Sequence, residues 1–172
     1  VSTQNANVNA EPYEVVKSMR LNVSNETMDA VRAHVRWALR APDASVIESG
    51  EQAVFVPALS ARWLDERAFP EAPLRAGYVS YDLFLDGAWV SGGTALFCPP
   101  KHFEFLDPRL TLSVIGDEIT VAARAYAKGV EILCDDCLFS DNFFDLNADS
   151  RTVKILRGAP TRFSVRSVYD IR

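Results

Sequence analysis

Ten consecutive residues, Val31–Arg40, constrain the fold of this chain more than any others. Val31, Ala33, Val35, Trp37 and Leu39 fall on one side, and Arg32, His34, Arg36 and Arg40 on the other together with Ala38. A period of two held over this length describes a strand with one buried face. Wound as a helix, the same residues would spread charge all around the axis. Met19–Val23 alternates similarly and Ser24–Thr27 supplies turn residues, so the two runs are expected to be adjacent antiparallel strands. Ala41–Ser45 reads as a turn, Glu51–Pro57 as a strand ended by its proline, and Ser60–Arg67 as one short helix. After the Phe69–Pro73 loop, Gly77–Leu85 resumes strand and Asp86-Gly87 marks a tight hairpin. Ala88–Ser91 and Thr94–Cys98 then read as two strands, with Gly92-Gly93 as the turn between them.

Pro99-Pro100 interrupts this pattern, because a central strand cannot run through a double proline. A second series follows it: Leu110–Val114, Glu118–Ala122, Val130–Cys134, Thr152–Leu156 and Phe163–Val168, with Gly116-Asp117 as another tight turn. Turn signals recur at the roughly 8–12-residue spacing of β-sandwiches. The chain has 172 residues, 48% of them hydrophobic, enough for packed cores. The expectation is an all-β protein of two consecutive immunoglobulin-like antiparallel β-sandwiches, over residues 1–98 and 99–172.

Charge and composition exclude several functions. Eighteen Lys and Arg against 23 Asp and Glu leave a net charge of −5 with no basic block, which disfavours nucleic acid as a partner. No apolar stretch approaches the ~20 residues that span a bilayer, so no membrane partner is expected, and no leader peptide is visible. Cys98, Cys134 and Cys137 are too few for a disulfide scaffold. Cys134-Asp-Asp-Cys137 lies between strand-like runs rather than before a helix, and it lacks a clear set of further zinc ligands. Strand-end thiols in a reducing, cytoplasmic compartment are the expectation, with no metal and no cofactor.

Candidate chemistry is sparse. Asp135, Asp136, Asp141, Asp145 and Asp149 crowd fifteen residues, but loop carboxylates more often solvate or cap backbone than pair for glycoside hydrolysis or bind calcium. There is no nucleophile elbow, and His34 and His102 read as surface residues, so no catalytic residue is assigned. Aromatic rings stack on sugars. Trp37 belongs to the core face of its strand, leaving Trp63 and Trp89 as possible sugar contacts. Leu138–Leu146 has neither period, since Ser140, Asp141, Asn142 and Asp145 interrupt apolar residues. It reads as a strand-to-loop crossing in which the polar side chains fasten backbone while Phe139, Phe143, Phe144 or Leu146 anchor in the core. Asn22-Val-Ser24 and Asn25-Glu-Thr27 are glycosylation sequons, relevant only in a secretory setting.

Phe139-Ser-Asp-Asn-Phe-Phe-Asp-Leu146 closely resembles the Phe-Ser-Asp-Asn-Tyr/Phe-Phe-Asp-Leu signature near the C-terminus of β-mannosidases of glycoside hydrolase family 2, with Phe143 where Tyr is frequent. Leu96-Phe-Cys-Pro-Pro-Lys101 is similar to the join between the last two sandwich domains of that family. Leu106–Pro108, Ala127–Val130 and Ser150–Ile155 are similar to further runs of the final domain. Leu21–Asn25 and Val35–Leu39 are similar to the domain before it. Cys134–Cys137 matches nothing in the family pattern.

The resemblance implies a non-catalytic C-terminal accessory region. The parent would hydrolyse terminal non-reducing β-D-mannose residues with two Glu of a (β/α)8 barrel, for which this chain has neither the length nor the strand–helix alternation. The implied partners are that barrel, in the same parent chain, and the parent's oligosaccharide substrate. Phe139, Ser140, Asp141, Asn142, Phe143, Phe144, Asp145 and Leu146 are then the structural motif. The competing readings are a stand-alone carbohydrate-binding module and the C-terminal region of a β-galactosidase-like enzyme.

Overall fold

The computed structural model describes residues 15–158 and 162–171. The chain divides into two compact units: residues up to Ala41 with Val46–Phe103, and Pro42–Ser45 with Glu104–Arg172. Nearly all regular structure is antiparallel β, as the alternation predicts.

In the first unit β1 is Ser18–Met19, β2 Asn22–Asn25, β3 Val31–Arg40, β4 Val46–Val56, β5 Ser60–Trp63, β6 Arg67–Ala68, β7 Tyr78–Leu85 and β8 Ala88–Leu96. One sheet has the order β4-β3-β7-β8, and β2-β5 and β1-β6 form two short pairs. The odd-numbered side chains of β3 face inward as expected, with Ala33, Val35 and Leu39 buried. They pack into two adjoining clusters, one with Val23, Val56 and Leu64 and the other with Met19, Phe69, Val79 and Phe97. Trp37 meets Phe69 edge-on at 5.6 Å.

Three sequence expectations fail here. Ser60–Arg67 is not a helix: Ser60–Trp63 is strand and pairs with β2 from Asn25↔Ser60 to Asn22↔Trp63. Local polarity favoured a helix, but β2 would otherwise present unpaired backbone groups, and pairing them outweighs propensity. The runs at Met19–Val23 and Val31–Arg40 are not adjacent, because β2 pairs with β5 while β3 is flanked by β4 and β7. Gly92-Gly93 is not a turn either. It lies inside β8, with Gly92 opposite Asp82 and Gly93 opposite Tyr81. A Cβ on Gly92 would sit 2.5 Å from Asp82 Oδ1, and one on Gly93 2.9 Å from the Tyr81 hydroxyl. Glycine is present because the opposing side chains lie across the strand. The Asp86-Gly87 turn does join β7 to β8, with both residues at positive φ.

In the second unit β9 is Thr111–Ile115, β10 Glu118–Ala122, β11 Tyr126–Leu133, β12 Leu138–Phe139, β13 Phe144–Asn147, β14 Ser150–Arg157 and β15 Ser164–Arg166, followed by one helical turn, α1, at Val168–Ile171. The sheets are β12-β14-β10-β9 and β13-β11-β15. Ile119, Val121 and Val153 from the first sheet pack with Val130, Ile132, Phe144 and Leu146 from the second, so the unit has a sandwich core of its own. Cys134 and Cys137 are joined as a disulfide with Cα atoms 5.8 Å apart, which corrects their reading as thiols; Cys98 is free and buried.

Asn25 shows how the crossing from β2 to β3 is held. Its buried carboxamide donates to the carbonyls of Asp29 (2.8 Å), Val56 (3.3 Å) and Pro57 (3.0 Å). It accepts from the Thr27 N–H (3.0 Å) and hydroxyl (2.7 Å). The sequon asparagine is thus consumed by the fold. Asn25→Ala is expected to cost about 2–3 kcal/mol in a denaturant melt, because it strands several polar groups at once. Asn22→Ala, at the exposed first sequon, should change stability by less than about 0.5 kcal/mol.

Candidate functional site

The aperiodic segment identified in the sequence forms the loop between β12 and β13, and nearly every side chain in it is used to build it. Ser140 makes a reciprocal pair with Lys154 on β14: its N–H donates to the Lys154 carbonyl at 2.8 Å, and its hydroxyl accepts the Lys154 N–H at 2.9 Å. Asp141 accepts the Asn142 N–H at 2.9 Å and pairs with the Arg151 guanidinium at 2.6 Å. Asn142 reaches across to β11, where its Oδ1 accepts the Ile132 N–H at 2.8 Å and its Nδ2 donates to the Ile132 carbonyl at 3.1 Å. The same Oδ1 accepts the Phe143 N–H at 3.1 Å. An asparagine side chain here replaces a strand neighbour, satisfying both backbone groups of a buried core residue.

Beyond the loop, Asp145 Oδ1 accepts the Gly129 N–H at 2.7 Å, where the register of β11 shifts between Ala127 and Val130. Its Oδ2 pairs with Lys128 at 3.2 Å in a largely buried setting. Phe144 and Leu146 are buried in the core, and Arg151 stacks over Phe144 at 5.2 Å. Phe139 packs beside Phe163 at 6.5 Å. Of the three phenylalanines in the segment, Phe143 is the one turned out. It is 65% exposed, and its backbone is in the left-handed region at φ 62°. For a bulky L-residue that conformation costs roughly 1–2 kcal/mol.

The remaining candidates are dispersed. Asp135 and Asp136 lie in the turn closed by the disulfide, and Asp149 accepts the Asn147 N–H at 2.9 Å. Among the described residues, no three His, Cys, Asp or Glu side chains gather as a ligand set for a metal. His102 sits in the short 3₁₀ turn Pro100–His102, and His34 lies 3.8 Å from Glu51.

Trp63 and Trp89 are not brought together. Trp63, on β5, is 61% exposed, and the Arg20 guanidinium lies over its ring at 5.2 Å. Trp89, on β8, is 48% exposed, and its indole N–H donates to Asp82 at 2.8 Å. Sequence reasoning missed the surroundings of Trp89: Asp82 and Phe84 on β7, Arg36 on β3 and Glu51 on β4. Their even–odd parity on paired strands was the available signal, but register alone shows that Glu51, Arg36 and Asp82 share one row of the sheet while Phe84 lies in the adjacent row, opposite Trp89.

Two family models match the chain. A Mannosidase Ig/CBM-like domain covers residues 17–102, and a mannosidase model described as an Ig-fold domain covers residues 105–171. No curated protein matches. Among solved structures, a β-D-mannosidase from Dictyoglomus thermophilum is similar, with a TM-score of 0.74 and 14% identity over 92% of this chain and 21% of that one. An exo-chitosanase from Amycolatopsis orientalis is similar with a TM-score of 0.52 and 16% identity over 79% of this chain and 22% of that one. The chain thus spans about a fifth of the length of either, and at these identities the likeness is one of fold. With one mannosidase model over each half, the chain belongs to the mannosidase immunoglobulin-like domain family.

Proposed function

We propose that this chain is the non-catalytic C-terminal region of a family 2 glycoside hydrolase whose parent is a β-mannosidase. In this reading the hydrolysis of terminal β-D-mannose residues belongs to a barrel elsewhere in the parent. The present sandwiches buttress that barrel, and the loop from Ser140 to Phe143 supplies the contact.

The observation that carries this reading is Phe143. In a loop whose other polar side chains are spent on internal hydrogen bonds, a large ring is held outward in a backbone conformation that opposes it. The isolated units gain little burial from that ring, so a surface outside them is the natural beneficiary. The family membership and the mannosidase-like fold support the identity of that surface.

Two neighbouring phenylalanines should therefore respond oppositely. In denaturant melts of the isolated chain, Phe143→Gly is expected to be neutral or to stabilise by up to about 1 kcal/mol, whereas Phe144→Ala should cost about 3–5 kcal/mol. In the parent enzyme Phe143→Gly should instead lower the melting temperature and speed proteolysis at the domain junction. A loss of more than about 1 kcal/mol in the isolated chain would show that Phe143 serves its own unit.

Within the loop, Asn142→Ala should cost about 1–3 kcal/mol, since it strands both backbone groups of Ile132. Asp141→Ala should cost no more than about 1 kcal/mol, because its ion pair is partly solvated. The reverse order in chemical melts would contradict the role given to Asn142.

A further inference from the structure

We propose that Cys134 and Cys137 form a thiol–disulfide exchange site for low-molecular-weight thiols, and that the grip of Asn142 on Ile132 follows its state. The pair sits where the chain passes from one sheet of the second unit to the other. Cys134 directly follows β11, of the β13-β11-β15 sheet, and Cys137 directly precedes β12, of the β12-β14-β10-β9 sheet. The core of the unit, around Ile119, Val121, Val130 and Leu146, contains neither cysteine. A bridge between residues only three positions apart closes a very short loop, so the sandwich does not depend on it. What the bridge does fix is the crossing itself.

The turn is open to an attacking thiol. Both cysteines are half-buried, and Asp135 and Asp136 between them are exposed. Exchange needs a thiolate to approach one sulfur, and the two sulfurs are not equally placed. Gly158 backs Cys137 so closely that a Cβ there would stand 3.2 Å from the Cys137 Sγ and 2.7 Å from the Asp136 carbonyl oxygen. Cys134 is therefore the sulfur attacked. The incoming thiolate bonds to Cys134 Sγ, the bridge breaks, and its electron pair leaves with Cys137, which takes a proton from solvent. A second thiolate attacks the small-molecule sulfur of this mixed disulfide. Cys134 leaves and is protonated in turn, so two small thiols are oxidised to one disulfide and the protein bridge is reduced to two thiols. Ile132 lies before the turn and Asn142 after it, joined at 2.8 and 3.1 Å. With the bridge closed, the path between them is cut short. With it open, the full ten-residue span must be ordered for the same two hydrogen bonds. Closure entropy grows slowly with length, so the grip loosens a few-fold rather than failing.

The site stands independently of the proposed parent enzyme. The test equilibrates the folded chain with graded ratios of reduced to oxidised glutathione, blocks free thiols with N-ethylmaleimide and locates them by peptide mass; amide hydrogen exchange is measured in both states. Cys134 and Cys137 should become alkylated together as the ratio rises and be protected again when it is reversed, with an unchanged far-ultraviolet spectrum. On reduction the Ile132 amide should exchange about two- to fivefold faster while the Val121 amide does not change. With oxidised glutathione, Cys137→Ser should form the mixed disulfide on Cys134 about tenfold faster than Cys134→Ser forms it on Cys137. Reduction only in denaturant, or by a protein dithiol such as thioredoxin but not by glutathione, would overturn the proposal. So would an Ile132 amide indifferent to the bridge, Val121 loosening in step with it, or equal rates for the two serine variants.

Discussion

Alternation along β3 is the constraint on which the first unit rests. A strand in the middle of a sheet has both faces committed, and a slip of one residue would exchange them. Ala33, Val35 and Leu39 bury against the short pairs beneath, and this fixes Arg32, His34 and Arg36 above as an outward row. The outer face therefore follows from the inner one. Because β7 is in register with β3, Asp82 and Phe84 are delivered beside Arg36 by the same burial that places Leu83 and Val79 inside. The ionic and cation–π contacts above the sheet add little to stability where they are exposed. Their consequence is orientation, since they hold long side chains in one geometry before anything binds.

In the second unit a side chain stands in for a strand. β11 pairs with β13 from Tyr126 to Val130 and with β15 from Glu131 to Leu133. Beside Ile132, where β13 has not yet begun, the Asn142 carboxamide supplies one donor and one acceptor in the pattern of a backbone neighbour. The length and polarity of asparagine suit this, whereas an aspartate could only accept. The aperiodic run is therefore the price of ending one strand pair without leaving a core residue's polar groups bare.

Which parts of this were legible beforehand follows from what periodicity encodes. It reports which face of a segment is buried, and on that point the odd-numbered face of Val31–Arg40 needed no correction. It says nothing of which strand lies alongside. Met19–Val23 and Val31–Arg40 look like a hairpin because a short turn separates them, yet Asn25 directs β2 to its pairing with β5 through contacts with Val56 and Pro57, 31 and 32 residues away in sequence. Ser60–Trp63 lacks an alternating apolar face because its strand is mostly exposed, so only the unpaired edge of β2 explains it. Gly92-Gly93 failed for a related reason. Glycine marks both turns and close approaches, and only the opposing rings and carboxylate of β7 and β8 distinguish the two. The loop motif was legible as a cluster of fasteners, but the partners of Asn142 and Asp145 lie on β11, beyond any local pattern.

Three exposed aromatic side chains illustrate why exposure alone is a weak guide to function. Trp63 is the most exposed of the tryptophans that could meet a sugar, yet a guanidinium occupies its ring. Trp89 is less exposed but is tied through its N–H to Asp82, and a glycine opposite preserves that arrangement. Phe143 is held out by a loop whose hydrogen bonds outweigh the backbone cost of keeping it there. What separates the three is whether the surrounding structure spends anything to keep the ring in place. Chance exposure is free, whereas a pinned indole requires a vacant Cβ position and a left-handed phenylalanine requires compensation from its neighbours. By that measure the positions of Trp89 and Phe143 are fixed by their surroundings rather than left to chance, and Trp63 is covered by the Arg20 guanidinium.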